Sequence, residues 1–97
     1  MGLRQRLLEK GLTGFEIRVL EETCRIPRGR TRGYGEIAGR IGSPGAARAV
    51  GNALAKNPFP AEIPCHRVVA KKGIGSYSGK GGKRKKRELL KREGALV

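Results

Sequence analysis

Apolar residues recur at three- and four-residue spacing along most of this chain, which predicts a succession of short helices. Leu3, Leu7 and Leu8 share a helical face, so a short amphipathic segment precedes the break at Gly11. Thr13 and Glu16 stand at capping-box spacing, and Phe15, Val19 and Leu20 follow at helical intervals until Ile26-Pro27 stops the run, giving a helix over residues 14–25. Residues 34–41 predict another, with Ile37, Ala38 and Ile41 inward and Gly42 as its terminator. Ser43 reads as an N-cap with Pro44 at the first helical position, and residues 46–56 as the helix that follows. Val68-Val69-Ala70 predicts a short strand, residues 73–79 a glycine-rich loop, and residues 82–93 a last helix with Leu89 and Leu90 facing in.

The pair of helices around Ile41-Gly42-Ser43-Pro44 has the form of a helix-turn-helix. Its second member is rich in small residues, Ala46, Ala47, Ala49, Gly51 and Ala53, from which Arg48 and Asn52 project at i and i+4. A helix so slim fits closely into a nucleic-acid groove. Small residues equally allow tight packing inside a compact domain, and the pattern alone leaves both readings open.

Charge tips the balance towards a polyanion. The 97 residues carry 22 Lys+Arg against 8 Asp+Glu, a formal charge of +14, with 37% hydrophobic and 4% aromatic residues. Such a chain supports one small domain whose core is built from Leu, Ile, Val and Ala, and its partner is expected to be nucleic acid or an anionic membrane surface. No apolar run reaches the length of a signal peptide or a membrane span, so a cytoplasmic, nucleoid-associated location and no membrane partner are expected. Arg28, Arg30 and Arg32 crowd the turn before Tyr34 and are candidates to lie along phosphates. The segment from Lys80 to Arg92, with eight cations among thirteen residues, reads as a solvated helix face.

Candidate chemistry centres on Pro64-Cys65-His66-Arg67. Prolines at 58, 60 and 64 stiffen the approach to Cys65. A thiol becomes a nucleophile as its thiolate fraction rises beside cations or imidazole, and His66 can relay its proton through water. The imidazole then needs a carboxylate, for which Glu93 and Glu62 both stand as candidates. Cys24 is expected to be a partly buried structural thiol, and both cysteines to be free. The ligands are too few and too poorly spaced for zinc, and neither a metal nor another cofactor is expected.

The stretch from Arg28 to Gly79 closely resembles the carboxy-terminal domain of the O6-alkylguanine-DNA alkyltransferases (methylated-DNA–protein-cysteine methyltransferases). Five pieces occur in that family's order: Tyr34-Gly35-Glu36-Ile37-Ala38, Pro44 to Gly51, Asn57-Pro58-Phe59-Pro60, Pro64 to Val69, and Gly75 to Gly79. Weaker similarity brings the coverage to about 80 residues. The resemblance implies a mainly α, compact winged helix-turn-helix-like domain with a short β element, residues 13–97, behind a short N-terminal segment, residues 1–12.

It also implies a DNA-repair activity in which an alkyl group passes once from guanine O6 in duplex DNA to Cys65. His66 would act on Cys65 through water, with Glu93 completing the chain and Asn57 as a buried hinge. Arg48 would enter the duplex in place of the flipped nucleotide, with Ala46, Ala47, Gly51 and Asn52 against the groove. Tyr34 would press on the phosphate and donate a proton. The Val68 carbonyl and the Ser78 backbone would read the guanine edge, and Tyr77 would line the alkyl pocket.

Members of that family usually carry a further amino-terminal domain, whereas about twelve residues precede the capping box here. Leu3, Leu7 and Leu8 are therefore expected either to cover the exposed face of a monomer or to form a dimerising patch. Related alkyltransferase-like proteins bind the same lesions without repair and usually have Trp in place of the cysteine. The intact Cys65 favours transfer; recognition without turnover, and a plain winged-helix regulator, are the alternatives.

Overall fold

The computed structural model describes residues 2–70 and 82–95. Its elements run α1 (Leu3–Glu9), α2 (Gly14–Thr23), β1 (Arg32–Gly33), α3 (Tyr34–Arg40), α4 (Ala47–Ala55), a 3-10 turn (Cys65–Arg67), β2 (Val68–Val69) and α5 (Gly82–Arg92). This is the expected mainly α architecture. One continuous core contains Ile17, Leu20, Ile37, Val50, Ile63 and Val68, all without solvent exposure, and is otherwise Leu, Val, Ile and Ala apart from Cys65.

The α2 capping box forms as expected. The Glu16 amide donates to Thr13 Oγ1 at 3.2 Å, and the Thr13 amide donates to Glu16 Oε1 at 2.9 Å. Lys56, just past α4, adds a bond to Glu16 Oε2 at 2.9 Å, so one carboxylate ties the start of α2 to the end of α4.

The entry into α4 differs from expectation. Ser43 does not cap the helix, which begins four residues later with Ala46 as its N-cap. Instead the Ala46 amide donates to the Ser43 carbonyl at 3.0 Å, closing a β-turn with Pro44 and Gly45 at its centre. Gly45 has φ +90°, the left-handed conformation that this turn requires at its third position and that glycine adopts without steric cost.

β1 lies in what the sequence presents as a cationic turn. It pairs parallel with β2 in the register Arg32↔Val68 and Gly33↔Val69. Only two residues long on each side, the pair is returned by the long crossover through α3 and α4.

Helix α1 packs on α2 through Leu7, which is fully buried, while Leu8 is 50% exposed. Arg4 pairs with Glu21 at 2.6 Å, and Arg6 holds Glu62 through two bonds of 2.7 and 2.8 Å with its guanidinium 4.4 Å from the Phe59 ring centre. Of the three leucines, Leu7 joins the core and Leu3 packs against it, while Leu8 stays on the surface. Ion pairs this exposed are screened by solvent, so the burial of Leu7 dominates the attachment.

Candidate active site and nucleic-acid interface

Cys65 opens the 3-10 turn, and Pro64 precedes it in a conformation between strand and helix. The segment leading there is fixed by Asn57, which is buried. Its Nδ2 donates to the Ile63 carbonyl at 3.2 Å, and its Oδ1 accepts from the Phe59 amide at 2.9 Å. One side chain thus closes the loop between the end of α4 and the cysteine turn.

Cys65 and His66 are both buried. His66 Nε2 lies 2.9 Å from Glu93 Oε2. Since an ionised carboxylate only accepts, this nitrogen carries the proton, and Nδ1 is the one able to take another. Of the two candidate carboxylates, Glu93 is the one bonded to the imidazole; Glu62 is held by Arg6.

Arg67 completes the cluster and was not singled out from the sequence beyond its adjacency to Cys65. Its Nε donates to Glu93 Oε1 at 2.9 Å, Nη2 to Oε2 at 2.8 Å, and Nη1 to the Ile26 carbonyl at 2.8 Å. This two-pronged grip holds the Glu93 carboxyl down at about 2, and the His66 bond assists against the opposing effect of burial. Gly29 lets the chain pass behind: its φ is +86°, and a Cβ there would meet the Glu93 carbonyl oxygen at 3.1 Å.

A cleft of about 600 Å³ opens behind the dyad, between Arg28, Glu62, His66, Arg67, Lys85 and Glu93. Cys24 also lines it and is exposed, not the partly buried structural thiol expected, because α2 ends at Thr23 and its C-cap residue turns outward. What burial its sulfur retains, together with Glu21 and Glu62, raises the Cys24 thiol above its ordinary value. Neither cysteine is in a disulfide.

On the other side of β1 and β2, Tyr34 is half-buried and lines an apolar cleft of about 430 Å³ with Gly33, Gly35 and Ala47. Lys86 lies 6.0 Å from the Tyr34 ring centre and donates to the Val68 carbonyl at 2.6 Å with no solvent exposure. Within the cationic run this lysine is not part of a solvated face. Its position four residues before Leu90, on the buried face of α5, is the signal that could have found it.

The helix-turn-helix is α3, the Ser43–Ala46 turn and α4. Arg48 and Asn52 are exposed together on α4, while Ala46, Ala47 and Gly51 are half-buried. Arg28 and Arg30 are exposed, but Arg32 is drawn inward to Glu22 at 3.2 Å with its side chain 19% exposed. Tyr77 and Ser78 lie outside the described residues. No group of metal-binding side chains occurs among the described residues, and no helix among them is long and apolar enough to cross a membrane.

Fold and site together define a helix-turn-helix domain with a buried Cys-His-Glu constellation beside it. The chain belongs to the family of the 6-O-methylguanine DNA methyltransferase DNA-binding domain, whose model it matches over residues 14–95. It is 51% identical over 82 residues to the methylated-DNA–protein-cysteine methyltransferase of Mycobacterium tuberculosis, covering 84% of this chain and 48% of that protein. It therefore spans about half the length of such curated relatives. The crystal structure of M. tuberculosis OGT in complex with DNA superposes with a TM-score of 0.80 at 48% identity, covering 87% of this chain and 52% of that one. S. pombe ATL in complex with DNA superposes at 0.71 and 32% identity, covering 86% of this chain and 78% of that one. A second S. pombe structure holds damaged DNA containing O6-carboxymethylguanine.

Proposed function

We propose that this domain binds duplex DNA containing O6-alkylguanine, flips the damaged nucleotide out, and takes the alkyl group onto Cys65. The observation that carries this reading is the buried Cys65 followed by His66, whose Nε2 is held 2.9 Å from a Glu93 carboxylate that Arg67 keeps ionised.

The target oxygen is engaged inside the duplex, so the base must leave the stack before a thiol can reach it. Arg48 on α4 would take the vacated place and hydrogen-bond to the orphaned partner base. The Cys65 proton would pass through water to His66 Nδ1, and the resulting imidazolium would be stabilised by Glu93. The thiolate would attack the alkyl carbon as the carbon–O6 bond breaks, and the guanine anion would leave with a proton from the Tyr34 hydroxyl or water. The product thioether is stable, so each molecule would react once. The Val68 carbonyl, Ser78 and Tyr77 would surround the base, and contacts confined to shape and phosphate would give little sequence preference. No cofactor enters this chemistry, and the protein would work as a monomer.

The likeness to S. pombe ATL, of which this chain covers 78%, supports lesion recognition without transfer as the second reading. Incubation with duplex containing O6-methylguanine followed by mass spectrometry separates the two. One methyl group on Cys65 is expected; lesion-selective binding with no change in mass overturns transfer in favour of recognition, and equal binding to undamaged duplex overturns both in favour of a plain regulator.

A further inference from the structure

The recognition helix is poor in charge for a protein of +14. Arg48 is the lone cation of α4, whose sequence is ARAVGNALA. Much of the remaining charge is internally matched: Glu16, Glu21, Glu22, Glu36, Glu62 and Glu93 each hold one or two cationic partners. That leaves α5 as the place where positive charge accumulates.

Lys86 and Leu90 define the buried face of α5, one turn apart. The opposite face presents Arg84, Arg87, Lys91 and Arg92, all exposed, with Glu88 as its only acid. Among the described residues none of these four cations makes an ion pair. Arg84 and Arg87 are three apart and Arg87 and Lys91 four apart, spacings at which like charges destabilise a helix. The first turn contains no acid, so Arg84 sits at the end of the helix where its dipole disfavours a cation, while Lys91 and Arg92 sit in the last turn, where it favours them. Glu88, four residues after Arg84 and four before Arg92, offsets only part of this charge, and an external row of phosphates would offset the rest.

We propose that the outer face of α5 is a second phosphate-binding surface for duplex DNA, separate from the helix-turn-helix. The proposal rests on the reading that the domain binds DNA. Its role is affinity without sequence or lesion preference, leaving α4 free to probe individual nucleotides. Positive charge held off the recognition helix also lets Arg48 change place without loosening the whole complex.

The test compares the full chain with the triple variant Arg84→Gln, Arg87→Gln, Lys91→Gln. Binding to an undamaged duplex is measured across a salt series, and transfer from free O6-benzylguanine is measured alongside. The slope of log K against log salt is expected to fall by about 2.7, near 0.9 for each phosphate that is no longer neutralised, while transfer from the free base stays unchanged and shows that the variant is folded. Arg84→Lys with Arg87→Lys should retain the original slope. An unchanged slope in the triple variant overturns the surface while leaving the functional reading intact. An equal fall in a control variant, Lys10→Gln, Arg18→Gln, Arg25→Gln, also overturns it, because net charge would then account for the effect. A wild-type chain without affinity for duplex overturns the surface and the functional reading together.

Discussion

Lys86 Nζ donates to the Val68 carbonyl over 2.6 Å from a position closed to solvent. The bond joins α5 to the strand that follows the cysteine turn, at the carbonyl expected to face the guanine. A carbonyl has two lone pairs, so Lys86 can orient Val68 without displacing a base. Lys86→Met keeps most of the side-chain volume and removes the donor. We expect a loss of about 1–3 kcal/mol, read as a lower urea midpoint, together with slower transfer from the free base; an unchanged midpoint would refute the structural role.

Glu93 carries a pH dependence whose sign follows from its partners. Its carboxyl is held at about 2 in the folded chain against an ordinary 4.5, so the stability it provides is complete above about 4.5 and is lost as pH falls towards 2. Arg67→Met removes both prongs and leaves a buried carboxylate without its main partner, at a cost of roughly 3–5 kcal/mol. The acid-unfolding midpoint, followed by circular dichroism, should move to higher pH. A midpoint that stays in place would show that Glu93 does not depend on Arg67.

Asn57 joins two chain segments with one side chain, and Asn57→Ala deprives the Ile63 carbonyl and the Phe59 amide of their partners. A loss of about 1–3 kcal/mol is expected in chemical denaturation. Transfer should fall more steeply than stability alone predicts, because the same bonds set the entry to Cys65.

The finger role of Arg48 separates two substrates. Arg48→Ala should slow transfer from duplex at least about 100-fold, a difference of about 2.7 kcal/mol, and leave transfer from the free base within about twofold. Cys65→Ala should abolish the mass shift and spare DNA binding. Equal losses of Arg48→Ala on both substrates would rule out an action on flipping.

Cys24 is exposed yet has a raised thiol, so it should react with iodoacetamide more slowly than an ordinary cysteine at pH 7. Peptide mapping after timed alkylation reads this directly. Cys24→Ser should leave transfer unchanged, and a mass shift that disappears in that variant would place Cys24 in the chemistry.

The helices were legible because their signals are local. Thr13 and Glu16 announce α2, and Ile37 with Ala38 marks the inner face of α3. The family resemblance pointed to Cys65, His66, Glu93 and Asn57, whose geometry the structure then supplies. What the sequence obscured depends on tertiary partners. A two-residue strand such as Arg32–Gly33 has no periodicity to read and forms only because Val68–Val69 lies beside it. Lys86 looks like any member of a cationic run until its helix is docked. Ser43-Pro44-Gly45 satisfies a capping pattern and a turn pattern equally, and the left-handed Gly45 decides for the turn. Cys24 is exposed because its helix stops at Thr23, a boundary that propensity does not resolve.

The smallest element of the fold works as a ruler. Because the strands run parallel in the register Arg32↔Val68 and Gly33↔Val69, Tyr34 leaves the pair at one end and Cys-His-Arg enters it at the other, so the ladder's own length of about 7 Å and one inter-strand spacing of about 4.8 Å fix the offset between them. A displacement of α3 is therefore passed through β1 and β2 to the cysteine turn; under the proposed function, seating the helix-turn-helix on the duplex and aligning Cys65 would be one movement.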